Sequence, residues 1–316
     1  MIGRLFFFLS FLCLSLFANA EQAKIHYELT HDPIDAVIVA HRKDKETLDY
    51  CINGIRENCS KVRRIIVVSA EKLTNQAEWF NENLFPFSVD DIYLAIGKGD
   101  KKSSQAFFQN HNRGPGWYLQ QLLKLYSPFI IPKISSNVLI VDADVVFLNP
   151  VKFLNKQKGG LFCVNHNKAK PLYLQHAERL VPGYQRIYPE VYSVCHHMLF
   201  QRPILEDLFN TVEQYHGTEF WVAFCSCVVP NPKKGASEYE IYYNFALTHT
   251  DQVALRELKW MNSAHPELRK EYEKEGYHFV GFHTYLRKNR KKKIEEDKKT
   301  NYCLSNDLLH EYTPPS

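Results

Sequence analysis

The chain has 316 residues, 45% hydrophobic and 23% charged, with 39 Lys and Arg against 35 Asp and Glu for a net charge of +4. That balance excludes a low-complexity or disordered chain, which buries too little apolar surface to fold. It also lacks the strong basic excess with which nucleic-acid-binding domains neutralise phosphates, and no base-reading module accompanies it, so no nucleic-acid partner is expected.

Met1 to Ala20 reads as a secretory signal: Arg4 gives the positive start, Leu5 to Phe17 the apolar stretch, and Ala18-Asn19-Ala20 the small-x-small cleavage pattern. The expected product begins near Glu21 and follows the secretory route, to be secreted, periplasmic or held in the ER or Golgi lumen. An uncleaved leader would instead associate the protein with a membrane. Of the 8 cysteines, Cys13 falls in the leader, which leaves an odd number and at least one unpaired thiol. One or two disulfides are expected in an exported chain. The absence of a C-x-x-C pair argues against a zinc ribbon or a thioredoxin-type site.

The elements then follow in order. Asp35 to Ala40 is a Val/Ile-rich strand ending at His41, and Asp44 to Ile55 is a helix with Asp44 near its N-cap and apolar residues at Leu48, Cys51, Ile52 and Ile55. Val62 to Ser69 reads as a second strand and Ile92 to Ile96 as a third. Asn112 to Gly116 is a turn, and Trp117 to Tyr126 a helix with Tyr118, Leu122, Leu123 and Tyr126 on one face. Strands alternating with helices imply an α/β fold with a mostly parallel central sheet flanked by helices. In the second half, strands are expected at Leu161 to Val164 and His278 to Phe282, and helices at Pro203 to Tyr215, Glu238 to Phe245 and Asp251 to Asn262. No Pro/Ser/Gly-rich linker interrupts the pattern, so residues 21–286 read as one domain and residues 287–316 as a charged C-terminal tail.

One stretch carries most of the chemistry. Val138-Leu139-Ile140-Val141 is an apolar strand that ends in Asp142-Ala143-Asp144 before apolar residues resume at Val145. Carboxylates are seldom buried without a partner, and an Asp-x-Asp pair suits a hard divalent cation with coordination positions left for phosphate. In open α/β sheets ligands bind beyond the carboxyl ends of the strands, where these two residues fall.

The strand ending at His41, the run from Arg113 through Gly116-Trp117-Tyr118-Leu119-Gln120-Gln121-Leu122-Leu123-Lys124, the Asp142-Ala143-Asp144 motif, His196-His197-Met198 and Ser237-Glu238-Tyr239-Glu240 together resemble the GT-A-type glycosyltransferases. The likeness covers roughly residues 34–286. It implies a Rossmann-like nucleotide-sugar-binding half and an acceptor-binding half. The implied reaction is metal-dependent transfer of a sugar from a nucleotide-diphosphate donor, a UDP-sugar, to a hydroxyl on a glycan, lipid or protein. The resemblance places His41, Arg113, Trp117, Gln121, Lys124 and Asp142 against the donor. It assigns Mn2+ or Mg2+ to Asp142, Asp144 and, by likeness to glycogenin-like relatives, His283. Asp142 would meet the ribose or the water shell of the metal. Arg113 and Lys124 suit diphosphate oxygens.

Glu238 is the candidate to take the proton from an attacking hydroxyl if the reaction inverts the anomeric centre; in a retaining enzyme it would position the acceptor. Glu240 fits a capping box with Ser237. His197 is expected to line the acceptor pocket, and zinc binding by the adjacent histidines is disfavoured because neighbours in an extended segment point to opposite faces. Two other readings stand beside this one. A nucleotidyltransferase would also pair an α/β sheet with metal-binding carboxylates, although the segment after Ala40 has no glycine-rich phosphate loop. A catalytically silent carbohydrate-binding or secreted host-interaction protein would use the same scaffold.

Overall fold

The computed structural model describes residues 24–109, 114–229 and 235–290. The leader-like Met1 to Ala20, Arg113 and the tail beyond residue 290 therefore lie outside the described residues. In chain order the first half holds β1 (Ile34–Val39), α1 (Lys45–Asn58), β2 (Val62–Ser69), β3 (Glu78–Asn81), α2 (Val89–Ile96), α3 (Lys101–Gln109), α4 (Gly116–Ile130), β4 (Asn137–Asp142) and β5 (Val145–Phe147). The second half adds β6 (Leu161–Cys163), α5 (Pro171–Leu180), β7 (His197–Gln201), α6 (Arg202–His216), α7 (Phe220–Ser226), α8 (Glu238–His249), β8 (Ala254–Arg256), β9 (Trp260–Asn262), α9 (Arg269–Lys274) and β10 (Phe279–Gly281). Among the described residues no helix is long and apolar enough to cross a membrane.

The central sheet runs β3-β2-β1-β4-β7, parallel except for β7, which pairs antiparallel with β4. All six residues of β1 are buried, as a strand covered on both faces requires. Alternation then divides the core in two. Val37, Val39, Val138 and Ile140 face α4, α6 and α8, whereas Ala36, Ile38, Leu139 and Val141 face α1 and β5. On that second side Gly54 lets α1 press against β5: a Cβ there would stand 2.6 Å from the carbonyl oxygen of Phe147. The sheet order reverses direction between β1 and β4, so the carboxyl ends of these two strands flank the crevice where ligands of such sheets bind.

Two expected elements are different. Ile92 to Ile96 is not a strand but the body of α2. Ser88 caps it by accepting a hydrogen bond from the Asp91 N–H, and Asp91 returns one by accepting from the Ser88 N–H at 2.8 Å, which outweighs the β-propensity of the apolar run. Asp251 to Asn262 is not a helix but the two short strands β8 and β9, because β8 pairs in parallel with β6 and β9 with β10. Among the described residues there is none of the expected disulfides: Cys51, Cys59, Cys163, Cys195, Cys225 and Cys227 are buried free thiols. Beyond the expected boundary of the domain, Arg287 remains buried, donating to the Phe282 carbonyl at 2.9 Å and pairing with Glu46.

Candidate functional site

The turn that carries the two carboxylates is fixed by its backbone. The Asp142 N–H donates to the His196 carbonyl at 2.9 Å, and the Asp144 carbonyl accepts from the Phe282 N–H at 2.7 Å. From α1, the Thr47 hydroxyl donates to the Ala143 carbonyl at 3.2 Å. Three separate segments therefore hold the two-residue turn, Ala143-Asp144, between β4 and β5, and the two carboxylates diverge from a rigid base.

Asp142 turns toward α4 and α8. Its Oδ1 accepts from Lys124 Nζ at 2.5 Å and from the Tyr239 hydroxyl at 3.1 Å, while Oδ2 lies 3.3 Å from His196 Nδ1. Lys124 Nζ also donates to Glu238 Oε1 at 2.6 Å and sits 4.6 Å from the centre of the Tyr239 ring. The first turn of α8 is placed for this by Ser237, which caps the helix, by Gln121 Oε1, which accepts from the Glu238 N–H at 3.3 Å, and by the Trp117 indole, which donates to the Ala236 carbonyl at 3.1 Å. Thus Trp117, Gln121 and Lys124, successive along the buried side of α4, pin the segment that presents Glu238.

Burial opposes charge at each of these groups, and partners decide the outcome. Burial alone would raise Asp142, but Lys124 and His196 outweigh it and hold the carboxyl well below the usual range. Burial would likewise lower Lys124, yet the two carboxylates keep it charged. Glu238 is raised, because burial dominates and the shared ammonium compensates only in part. Asp142 has three donors where Glu238 has Lys124 and a backbone N–H, which is why one shared lysine leaves their affinities for a proton far apart.

Asp144 turns the other way. Its Oδ2 lies 3.0 Å from His283 Nδ1, and among the described residues Oδ1 takes no hydrogen bond. The His283 ring packs edge-on to that of His196, with centroids 4.6 Å apart, and stacks on Tyr285, which is 54% exposed. Residues 281–283 bring His283 here because Gly281 passes close behind it: a Cβ at Gly281 would stand 2.5 Å from Asn262 Oδ1 and 3.5 Å from His283 Nε2.

The remaining expectations divide. His41 follows β1 at the same end of the sheet, where Val39 pairs with Asp142, and its exposed ring accepts from the Lys43 N–H at 3.3 Å. Arg113 lies outside the described residues. His197 does not line a pocket: it is 3% exposed, boxed by Phe147, Phe153 and Phe279. As the first residue of β7 it points into the core, and the ring that faces the carboxylates is that of His196. His196 precedes the strand with a left-handed backbone at φ +63°, and this turn sends its ring to the carboxylates while that of His197 enters the core. Glu240 does not complete a capping box either. Its carboxylate reaches away from Ser237 to accept from Tyr184 at 2.6 Å, from Asn244 at 2.9 Å and from Ser193, tying α8 to the segment before β7.

The donor chemistry at this end of the sheet suits a divalent cation, with carboxylates and imidazoles side by side. The placement does not complete a site, since no group of three or more His, Cys, Asp or Glu among the described residues is arranged to hold a metal ion. A cavity of about 470 Å³ lies at the far end of α4, lined by Tyr126, Phe129, Phe209, Glu213 and Trp221, and none of the acidic cluster borders it.

The chain belongs to the family described as "Family of unknown function (DUF6492)", whose model matches residues 36–302. No curated protein sequence matches it. Among solved structures it is similar to mouse xyloside xylosyltransferase 1 in its apo form, at 12% identity and a TM-score of 0.35 over 79% of this chain and 96% of that one. It is also similar to the apo structure of the bifunctional glycosyltransferase WbbM, at 11% identity and a TM-score of 0.40, over 83% of this chain and 47% of that one.

Proposed function

We propose that this member of the family transfers a sugar from a nucleotide-diphosphate donor, a UDP-sugar, to a hydroxyl on a glycan, lipid or protein, with Mn2+ or Mg2+ as cofactor, after export along the secretory route. One observation carries the reading. At the switch point of the sheet, Asp142 and Glu238 share the ammonium of Lys124, and Asp144, two residues on, turns away from it to face His283, so three carboxylates gather at this end of the sheet around one lysine. A cluster with that excess of negative charge attracts a cation, and a bound divalent cation would offset the charge that develops on a departing diphosphate. Asp144 and His283 stand on its open side and are the groups available to meet that cation, with phosphate oxygens of the donor completing the shell.

The protein's own groups have separable roles. Lys124 and Tyr239 keep Asp142 ionised and oriented, so this carboxylate acts through position. Glu238 is raised by burial where Asp142 is depressed, and such divergence between neighbouring carboxyls separates a proton-exchanging group from a permanently charged one. It would accept the proton of the attacking hydroxyl in an inverting reaction. His41, at the end of β1, lies on the side from which a nucleotide would enter the crevice.

A second reading is favoured by the closure of Asp142 and by the incomplete metal set: a binding protein on the same scaffold that holds a sugar or nucleotide without turning it over. The experiment is hydrolysis and binding of a panel of nucleotide sugars by the full chain, with and without Mn2+, beside Asp144→Ala. Mn2+-dependent turnover of one donor that disappears in the variant supports transfer. Binding without turnover supports the second reading, and neither binding nor turnover sinks both.

A further inference from the structure

The cavity at the far end of α4 belongs to no step of the reaction proposed above. Its volume of about 470 Å³ falls inside the range of roughly 300–1,000 Å³ that small-molecule sites span. The walls come from the last turns of α4, one face of α6 and the start of α7. On α6 the lining residues Glu206, Phe209, Asn210 and Glu213 recur at the three- and four-residue spacing of a single helical face. Gly217 ends that helix in the left-handed region, at φ +65°, and the chain re-enters as α7, which brings Glu219 and Trp221 to the same cavity.

The walls are rings and carboxylates, and no Lys, Arg or His among the described residues lines them. The rings are held in place by the protein itself. The Tyr126 hydroxyl accepts from the Trp221 N–H at 3.1 Å, and Tyr126 and Phe129 each pack against Phe209 with centroids 4.9 Å away. Neutral donors orient two of the carboxylates: Glu213 Oε1 accepts from the Phe220 N–H at 2.9 Å, and Glu219 Oε2 accepts from the Trp221 indole at 2.7 Å. Among the described residues neither forms an ion pair, whereas Glu206 pairs with Arg202 at 2.8 Å. Arg202 shows what this chemistry holds, because its guanidinium also lies over the Phe129 ring, 5.5 Å from the centroid. There a ring and a carboxylate hold a cation together. Glu213 and Glu219, beside Tyr126 and Trp221, repeat that combination without a cation from the protein.

We infer that this cavity binds an organic ammonium ion of the size and alkylated character of choline, with its charge toward Glu213 and Glu219 and its methyl groups against the rings of Tyr126 and Trp221. Aromatic faces attract such ions through the ring quadrupole. A neutral ligand of the same shape would strip water from two carboxylates and return no opposite charge, which costs free energy. A hard metal ion would meet rings where it needs a shell of oxygens. The cavity is bordered by none of Lys124, Asp142 and Glu238, so its occupancy does not depend on whether that end of the sheet transfers a sugar.

The test is isothermal titration calorimetry of the full chain with choline and with tetramethylammonium, beside the neutral isostere of choline in which carbon replaces the quaternary nitrogen, and beside glucose and xylose. Choline should bind with a Kd of about 1 mM or tighter, as a few ring and charge contacts allow, and the isostere at least about tenfold more weakly. Glu213→Gln and Glu219→Gln should each weaken choline about 5- to 30-fold while circular dichroism stays unchanged. Glu206→Gln should have little effect, because Arg202 already takes up that charge. Equal affinity for the isostere, binding of glucose or xylose that choline displaces, affinity unchanged in the Glu213→Gln/Glu219→Gln double variant, or no binding of either cation at tens of millimolar overturns the inference. The comparison with the isostere uses the unaltered chain, so it decides the matter even where a variant fails to fold.

Discussion

The two carboxylates of one short motif lead different lives. Asp142 closes a buried network with Lys124, Glu238 and Tyr239, whose lysine side chain is 3% exposed, whereas Asp144 faces His283 with one oxygen open. They are separated by a single residue on the same rigid turn. The difference comes from the partners each meets, not from exposure, since the two side chains are 21% and 17% exposed: α4 and α8 bring Lys124 and Tyr239 to the first, whereas the segment after β10 brings His283 to the second. A pair of identical side chains in a motif is therefore no guide to equal roles, because partners set what each can do.

The comparison breaks most severely at its closed side. Lys124→Met removes the cation shared by two buried carboxylates and should cost about 3–5 kcal/mol of stability, measured as a fall in the urea midpoint. Adding Glu238→Gln to that variant removes one of the stranded charges and should recover part of the loss. Equal stability of the single and double variants would mean that Glu238 is neutral in the folded protein and Lys124 serves Asp142 alone.

At the open side the effect should appear in binding and turnover, with little change in stability. Asp144→Ala should lower metal-dependent turnover by about 100- to 1000-fold, in the range seen when one electrostatic stabiliser of a transition state is lost. Its unfolding midpoint should fall less than that of Lys124→Met, because the side chain gives up one contact, with His283, and strands no buried charge. A large loss of stability would erase the contrast with Asp142. Tyr239→Phe probes the closed side more gently: it deletes one hydrogen bond to a charged acceptor and should cost about 1.5–3 kcal/mol, read from the same denaturant curves.

Much of this was legible in the residues. The apolar run of β4 ending in Asp-Ala-Asp points to the candidate site, and β1, β2, α1 and α4 lie where their periodicity puts them. The failures have physical causes. α2 is set by a Ser88–Asp91 capping box that outweighs its apolar run, and β8 and β9 are short segments whose pairing partners are far away in sequence. Lys124 reads from sequence as a phosphate-facing cation because nothing local reveals that α8, more than a hundred residues later, will bring Glu238 onto it. His196 was hidden by its neighbour, since a left-handed turn just before β7 reverses which of the two rings reaches the carboxylates.

His197 therefore offers the smallest and most discriminating test, because it is part of neither side. Neither of its ring nitrogens makes a hydrogen bond. Burial, with Arg256 second, lowers its pKa from 6.5 to about 3. The sign follows: above pH 6.5 the ring is neutral in both folded and unfolded chains and contributes no pH dependence, whereas between pH 6.5 and about 3 only the unfolded chain takes up the proton. Stability is lost over that window by about 1.4 kcal/mol per pH unit for this group. His176, lowered to about 4 mainly by burial, adds a parallel loss above its own value. His197→Leu, close in volume, should be neutral or more stable near pH 7 and should reduce the slope of stability against pH between 6 and 4 by that one proton. Turnover should be unaffected at neutral pH. An unchanged slope, or loss of turnover without loss of stability, would return His197 to the site and make the ring beside the carboxylates the structural one.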